Sequence, residues 1–473
     1  MSVTQSFIAG QSVASAETYD NIDPATGQSL GAVARAGADE IDRAVTAAAA
    51  AQPGWNRTTP EQRARLLTGI ADLIERDAEE LARVESEDTG KPLTQARTDA
   101  TVCARYFRFY GHCIDAYYSH TIPMGPDMHV YTRKEPFGVV GSIIAWNYPM
   151  QLFGRAAAAA MATGNATVIK PADETPRTAV MLAELAIEAG FPPGVLNVVT
   201  GLGPEAGDAL IKHPGVAHLG FVGSTQVGSI VAHAAADRVV PTLLELGGKS
   251  AQIVFGDAPV DKAIPFLRNA ILQNAGQTCS AGSRLLVHED RHDEVVERLA
   301  QVFDQTTIGR GVTDPDLGPL VSAKQQDRVR GYVEGAAGTV VTGGGVPDDA
   351  DLAGGAYFAP TLIDGVAPDS EIATEEVFGP VLVSTTFGDE EEAIAIANGT
   401  EYALLGSVWT SDISRAHRLA AQIQAGQVYV NTYGAGGGVE LPFGGFKKSG
   451  YGREKGYEAL DAYTQTKTVV VKL

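Results

Sequence analysis

A cysteine flanked by small residues, Gly276-Gln277-Thr278-Cys279-Ser280-Ala281-Gly282, is the part of this chain best suited to covalent chemistry. A thiolate is a strong nucleophile, although a free cysteine, with a pKa of about 8.5, is mostly protonated near neutral pH. On its own such a cysteine is more often a small buried hydrophobe. Only three cysteines occur in 473 residues, which excludes a disulfide framework. Glu245-Leu246-Gly247-Gly248-Lys249 adds a carboxylate at the end of the apolar run Leu243-Leu244. Partly buried there, it gains a raised pKa and suits general-base work; the alternative is a structural carboxylate at a strand end. Trp146-Asn147-Tyr148-Pro149 also closes an apolar strand. The Asn147 amide can donate to a developing oxyanion, or it caps the helix that follows.

Three further loops invite a phosphate or a ribose. Lys170-Pro171-Ala172-Asp173 ends a strand with a cation and a carboxylate, able to hold ribose hydroxyls or simply to form a solvated loop. The strict Gly-x-Gly-x-x-Gly fingerprint is absent. Gly201-Leu202-Gly203-Pro204-Glu205-Ala206-Gly207 places its last glycine one residue late. The next strand leads into Phe221-Val222-Gly223-Ser224-Thr225-Gln226-Val227-Gly228, which opens a helix. Small residues at a helix start let backbone N–H groups approach a phosphate, though glycine after a strand also serves plain turns.

These loops need a frame. Thr59-Pro60-Glu61-Gln62 reads as a capping box with proline at the first helical position. Apolar residues then recur at Leu66, Leu67, Ile70, Leu73 and Ile74 until a break at Thr89-Gly90-Lys91-Pro92. From about residue 138 short apolar runs (Val139 to Trp146, Ala166 to Lys170, Leu196 to Thr200, His218 to Val222) alternate with helical stretches, including Pro204 to Lys212. A second series follows from Ala251 to Asn431. This βαβ rhythm predicts two tandem parallel-sheet α/β domains, with a boundary near Leu246-Gly247-Gly248. A net charge of −21 argues against a nucleic-acid or anionic-membrane partner. The start Met1-Ser2-Val3-Thr4-Gln5 shows no export signal, and with few cysteines the expected compartment is the cytoplasm.

Taken together, the chain resembles the aldehyde dehydrogenase superfamily over nearly its whole length. The motifs are Trp146-Asn147-Tyr148-Pro149, Lys170 to Pro176, Phe221 to Thr225, Leu244 to Lys249, Gly276 to Cys279, Glu376-Val377-Phe378-Gly379-Pro380 and Pro442-Phe443-Gly444-Gly445, in family order. The resemblance implies that Cys279 attacks an aldehyde carbon and that the Asn147 amide and the Cys279 N–H stabilise the oxyanion. It implies that hydride passes to a nicotinamide, leaving a thioester that Glu245 hydrolyses through an activated water. Lys170, counted with the catalytic residues too, and Asp173 fall where the family holds the adenine ribose. Ile144, Ala145 and Trp146 line the same dinucleotide site, as do Gly203, Gly207, Phe221, Gly223, Ser224, Val227 and Leu246. Glu376 would bind the nicotinamide ribose, with Phe378 beside it. Tyr148, Arg155, Thr278, Ser280 and Phe443 fall in the substrate pocket, and no metal site is implied.

The family's division of the chain places a Rossmann-like cofactor domain at 1–113 and 134–246, a catalytic domain at 247–440, and a small β oligomerisation extension at 114–133 and 441–473. The resemblance implies a homodimer or homotetramer, since in the family a tail such as Thr466 to Leu473 extends a partner subunit's sheet; the alternative is a strand within the same subunit. NAD is the expected cofactor, because a carboxylate at Asp173 repels a 2′-phosphate; NADP is possible, since Asp is shorter than the Glu common there. Arg155 occupies a place where semialdehyde-oxidising relatives hold a substrate carboxylate, but position 273 is Gln, where they often supply a second arginine. The alternative for Arg155 is helix packing or an ion pair. Gly436-Gly437-Gly438 suggests an entrance roomy enough for bulky or aromatic aldehydes. Cys103 and Cys113 match no catalytic motif and read as packing thiols. A CoA-acylating enzyme is the main alternative; it usually lacks the glutamate found here at 245. A thiol hydrolase would need a histidine partner for the cysteine, and none is recognisable. A non-catalytic protein would be free to lose Cys279, Glu245 or Asn147.

Overall fold

The computed structural model describes residues 3–434 and 438–473. Three sheets matter for the site. The first has eight strands in the order Gln11–Val13, Ser6–Ile8, Leu196–Val198, Ala166–Lys170, Val139–Ile143, His218–Val222, Thr242–Glu245 and Gly450–Tyr451. Its five central strands are parallel, and antiparallel strands close both edges. Helices cover both faces, so the central strands are almost continuously apolar and buried, as a parallel sheet requires. The second sheet runs Thr339–Thr342, Thr361–Asp364, Val381–Phe387, Arg284–His288, Ala251–Val254, Leu405–Trp409, Gln427–Val430, with only the first pair antiparallel. The third pairs Thr464–Lys472 along its length with Met128–Pro136, with Thr121–Ile122 outside it. The architecture is the expected α/β fold with two parallel sheets and a small β extension. No helix among the described residues is long and apolar enough to cross a membrane.

In the first sheet the chain steps from Val139–Ile143 outward through Ala166–Lys170 and Leu196–Val198, then returns to lay His218–Val222 on the other side of its starting strand. That reversal is a topological switch point, where loops at the carboxyl ends of the strands splay apart and leave a crevice. The loops in question are 144–148, 171–176, 223–224 and 246–248. The helix Pro149–Ala162 follows directly; of its 14 residues only Gln151 and Arg155 are not buried. A helix apolar all round is a core helix, so its one cation is a placed group rather than a solvated one.

Two local expectations change. The capping box forms (Thr59 N–H to Gln62 Oε1 2.9 Å, Gln62 N–H to Thr59 Oγ1 3.2 Å), but the helix ends at Arg76 and a second, Ala78–Thr89, carries the chain to Gly90. Asp77, with φ −100° and ψ 14°, leaves the helical region and its carboxylate is forked by the Arg76 guanidinium, which fixes the corner. The stretch read as a helix from Pro204 starts instead as a wide turn, Gly203–Gly207, followed by the short helix Asp208–Lys212. The carboxyl-terminal segment also does more than form the third sheet. Gly450–Tyr451 pairs with Thr242–Glu245, and Phe446–Lys447 pairs with Tyr402–Ala403, so this segment stitches both parallel sheets together.

Candidate active site

Cys279 lies on the loop between the helix Val260–Leu272 and the strand Arg284–His288, facing the crevice of the first sheet. The approach is strained: Asn274 (φ 50°), Ala275 (φ 53°) and Gly276 (φ 72°) are left-handed in succession. Such a run costs on the order of 1–3 kcal/mol at each non-glycine residue and persists only where the surroundings fix it. Here they do. A Cβ at position 276 would stand 2.0 Å from the Gly379 carbonyl oxygen, so only glycine fits. The Gln95 side chain accepts from the Asn274 N–H (3.0 Å), and the Gln277 side chain binds the Asn274 carbonyl (3.0 Å) and the Val321 N–H (2.8 Å). Asn274 Nδ2 donates to the Asn147 carbonyl (2.9 Å) and Asn147 Nδ2 donates to the Gln277 carbonyl (2.9 Å). That exchange ties the loop after Val139–Ile143 to the cysteine loop. It uses one of the two Asn147 amide hydrogens and leaves the other for an oxyanion.

Glu245 ends its strand, and the two glycines after it allow close packing. A Cβ at Gly248 would stand 2.3 Å from the Cys279 carbonyl oxygen, so this turn and the cysteine backbone touch. Both Glu245 carboxyl oxygens are buried without a hydrogen-bond partner among the described residues. Burial, reinforced by the like charge of Glu454 and opposed by Arg155, holds its pKa well above the usual carboxylate range. The half-buried Cys279 thiol is pushed up to about 12, chiefly by burial, with Arg155 opposing and Glu245 adding. At rest the sulfur therefore carries its proton. The rate of Cys279 alkylation by iodoacetamide is expected to rise about tenfold per pH unit from pH 7 to 10 without a plateau; a plateau near pH 7, followed by mass spectrometry, would contradict this.

One cleft of about 290 Å³ collects most of the sequence-predicted residues: Ala145, Trp146, Asn147, Tyr148, Arg155, Gly223, Ser224, Glu245, Leu246, Cys279, Glu376 and Phe378. Phe378 stands edge-on to Trp146, ring centroids 5.2 Å apart. Glu376 accepts from the Gly248 N–H (2.8 Å), and its carboxyl is pushed up to about 7 by burial. Ser224 caps the helix Thr225–Arg238, accepting from the Val227 N–H (3.3 Å), and so turns that helix N-terminus toward the cleft. Thr278 sits one layer back, its hydroxyl 2.8 Å from the Tyr148 hydroxyl, and the Ser280 carbonyl accepts from Tyr433. Ile144 and Phe221 are buried beneath the loops, and Val227 is exposed on its helix.

Lys170 is buried and paired with Asp173, beyond the cleft rather than beside the sulfur. Lys170 is not among the residues that line the cleft with Cys279. Gly203 and Gly207 lie outside the cleft. The Gly203 N–H is already given to the second Asp173 oxygen (3.2 Å), because the wide turn aims it there. A larger space of about 1010 Å³ borders Asp173, but it lies between the amino-terminal hairpin and the 346–356 loop and contains neither Cys279 nor Glu245. Positions 436 and 437 lie outside the described residues. Arg155 is the main change. Its guanidinium is paired with the buried Glu454 and stacked 4.8 Å above the Phe443 ring, so the ion-pair alternative holds and its charge is not free for a substrate carboxylate.

Several residues escaped the sequence reading. Gln325 and Arg328, one turn apart on the helix Ala323–Glu334, bind the Phe378 and Glu376 carbonyls (2.8 Å each) and fix the Glu376 loop. Their i, i+3 spacing on a polar helix was the available signal. Under Tyr148 lies a buried triad. Lys91 is paired with Glu85 (3.0 Å) and Asp99, and its Nζ stands 4.4 Å from the Tyr148 ring centroid. Glu85 also accepts the Met150 N–H (3.0 Å), and Asp99 accepts from Gln151 (2.6 Å). The triad thus holds the turn that presents Asn147.

The model of the aldehyde dehydrogenase family matches residues 11–469. An aldehyde dehydrogenase of Alternaria alternata is 40% identical over 464 residues, 97% of this chain and 92% of its own. The NAD+ complex of an aldehyde dehydrogenase from Bacillus cereus superposes with a TM-score of 0.97 at 40% identity, covering 100% of this chain and 97% of that one. The complex of PnpE with nicotinamide adenine dinucleotide gives 0.97 at 39% identity, covering 99% and 97%. With Cys279, Glu245 and Asn147 gathered in one cleft, this chain belongs to the aldehyde dehydrogenase family.

Proposed function

We propose that the protein oxidises an aldehyde to its carboxylic acid with NAD, through a thiohemiacetal and a thioester on Cys279. The observation that carries this reading is the single cleft joining Cys279, Glu245 and Asn147 to Gly223, Ser224 and Glu376. The residues present fit a dinucleotide. The capped N-terminus of Thr225–Arg238 suits a pyrophosphate, Glu376 suits a ribose diol, and Lys170 with Asp173 closes the far end. When bound, NAD supplies the acceptor for hydride.

The chain does the rest. The thiol gives up its proton to solvent as sulfur bonds to the carbonyl carbon, with Arg155 favouring the anionic form. The remaining Asn147 N–H and the Cys279 N–H take the oxyanion; one such donor is worth about 3–4 kcal/mol of barrier. With NAD held beside that carbon as the acceptor, loss of hydride would leave a thioester on Cys279. Glu245, kept basic enough by burial, takes a proton from water as its oxygen attacks; the C–S bond breaks and the acid departs. A carboxylate at 245 favours this hydrolytic outcome over transfer to CoA. The strand Thr464–Lys472, with one edge unpaired in the third sheet, suits a homodimer or homotetramer.

NADH formation measured over an aldehyde panel with both cofactors tests the reading. Acid and reduced cofactor should appear in equal amounts without CoA; no reduction of either cofactor with any aldehyde would refute it. Asp173 should also set cofactor choice. Asp173→Ser is expected to shift the NAD to NADP ratio of kcat/KM by about tenfold toward NADP through lost repulsion of the 2′-phosphate; an unchanged ratio would contradict that role.

A further inference from the structure

The segment Gly452–Gly456 folds back against Arg155, a cleft residue that pairs with Glu454. Phe443 and Glu454 exchange backbone hydrogen bonds (2.7 and 2.8 Å), and the next residue, Lys455, is held in the left-handed region at φ 62°. Strain at a long, non-glycine side chain needs a reason. The turn brings the Lys455 ammonium to 5.1 Å from the Phe443 ring centroid, against the ring that also carries the Arg155 guanidinium. Lys455 is half-buried, and its ammonium makes no ion pair among the described residues.

The charges facing this lysine are Arg155 from the helix Pro149–Ala162, Glu245 from its strand end, Cys279 from its loop and Glu454 beside it. Arg155 and Glu454 neutralise one another. Burial raises the pKa of both Glu245 and Cys279, while Arg155 opposes the rise at each. Neighbouring Arg453 donates to the Gly445 (3.3 Å) and Gly452 (2.5 Å) carbonyls, lies over the Phe446 ring, and adds its charge on the Glu245 side. Lys455 is therefore a half-buried cation without an ion pair among the described residues, beside the paired Arg155 and Glu454 and against the same ring. Half-burying an uncompensated charge is costly unless a ligand completes it. The chain as a whole carries −21, which repels an anionic substrate unless a local cation draws it in.

We propose that Lys455 is a specificity-determining residue that binds the carboxylate of the substrate across the face of Phe443, so that the preferred aldehydes end in a carboxylate. It supplies the free cation that Arg155, held by Glu454, does not, from a part of the chain remote in sequence. The proposal rests on the aldehyde-oxidation reading above and names the substrate class for the same site.

The test compares kcat/KM for straight-chain aldehydes ending in a carboxylate with the same chains ending in a methyl group, over a short series of lengths. At one length or more, the wild-type chain should favour the carboxylate by about tenfold or more. Lys455→Met should lower that ratio about tenfold, through KM for the acid, and Lys455→Arg should keep it within about threefold of wild type. Lys455 is lowered to about 8, mainly by burial, so the wild-type KM for the acid should climb as pH passes 8 and the cation is lost. The arginine variant should show no such climb. A wild-type preference for the methyl chain at every length, a ratio unmoved by Lys455→Met, or a wild-type KM flat through pH 8 would each overturn the proposal. Should the methionine variant fail to fold, the pH profiles of wild type and Lys455→Arg decide alone. Loss of NADH formation with both aldehyde types in the wild type would instead strike the aldehyde-oxidation reading.

Discussion

Glu245→Gln is expected to give one rapid turnover of hydride transfer and then stall. The glutamine is nearly isosteric, so the Gly247-Gly248 turn still packs against the Cys279 backbone and the cleft keeps its shape. It also removes a carboxylate that disfavours the thiolate, so the attack itself is not made harder. What is lost is the proton acceptor for water. Stopped-flow absorbance should show a burst close to one equivalent of NADH, while the steady-state rate falls by about 10²–10⁴-fold, the usual worth of a positioned base. Because the Glu245 pKa lies well above the carboxylate range, the wild-type steady state should rise with pH as the base form accumulates, and that rise should vanish in the variant. Equal loss of burst and steady state would show that Glu245 acts before the thioester as well.

The second large effect concerns stability. Lys91→Ala leaves Glu85 and Asp99 buried with no cation, and breaking such a cluster by removing one partner costs about 3–5 kcal/mol. Chemical denaturation should show the loss directly. Catalysis should also suffer, because the triad holds the Met150 N–H, the Gln151 side chain and the Tyr148 ring beside Asn147. Removing all three charges together, as Lys91→Met with Glu85→Gln and Asp99→Asn, should recover most of the stability, since the penalty comes from the unpaired charge rather than the missing pair. A single variant as stable as wild type would mean that the cluster is not the buried ion network described.

What could be read from the chain follows the reach of each interaction. The two parallel sheets were legible because burial on both faces forces continuous apolar strands, and the capping box at Thr59–Gln62 because it spans four residues. Cys279, Glu245 and Asn147 were legible because each sits in a local motif whose small neighbours are forced by packing, as Gly276 is by Gly379 and Gly248 by Cys279. The corner at Asp77 and the wide turn at Gly203–Gly207 were missed, since helix periodicity reads through both. Arg155 was the hardest. Its partner Glu454 and its ring Phe443 lie near the opposite end of the sequence, and no spacing rule connects residues that meet only because the carboxyl-terminal segment crosses back over both sheets. Gln325 and Arg328 were missed for a similar reason: their spacing marks a polar helix face, but the Glu376 loop they hold comes from a distant stretch of chain.

The central claim is a covalent acyl intermediate on Cys279 that Glu245 resolves. It is tested most directly by mixing Glu245→Gln with NAD and an aldehyde, quenching in acid within the burst, and weighing the peptide that contains Cys279. This peptide should gain the mass of the acyl group in proportion to the NADH formed. The adduct should disappear when wild-type enzyme is treated in the same way and allowed to turn over. NADH formed in the burst with Cys279 unmodified, or the adduct found on Cys103 or Cys113, would contradict it.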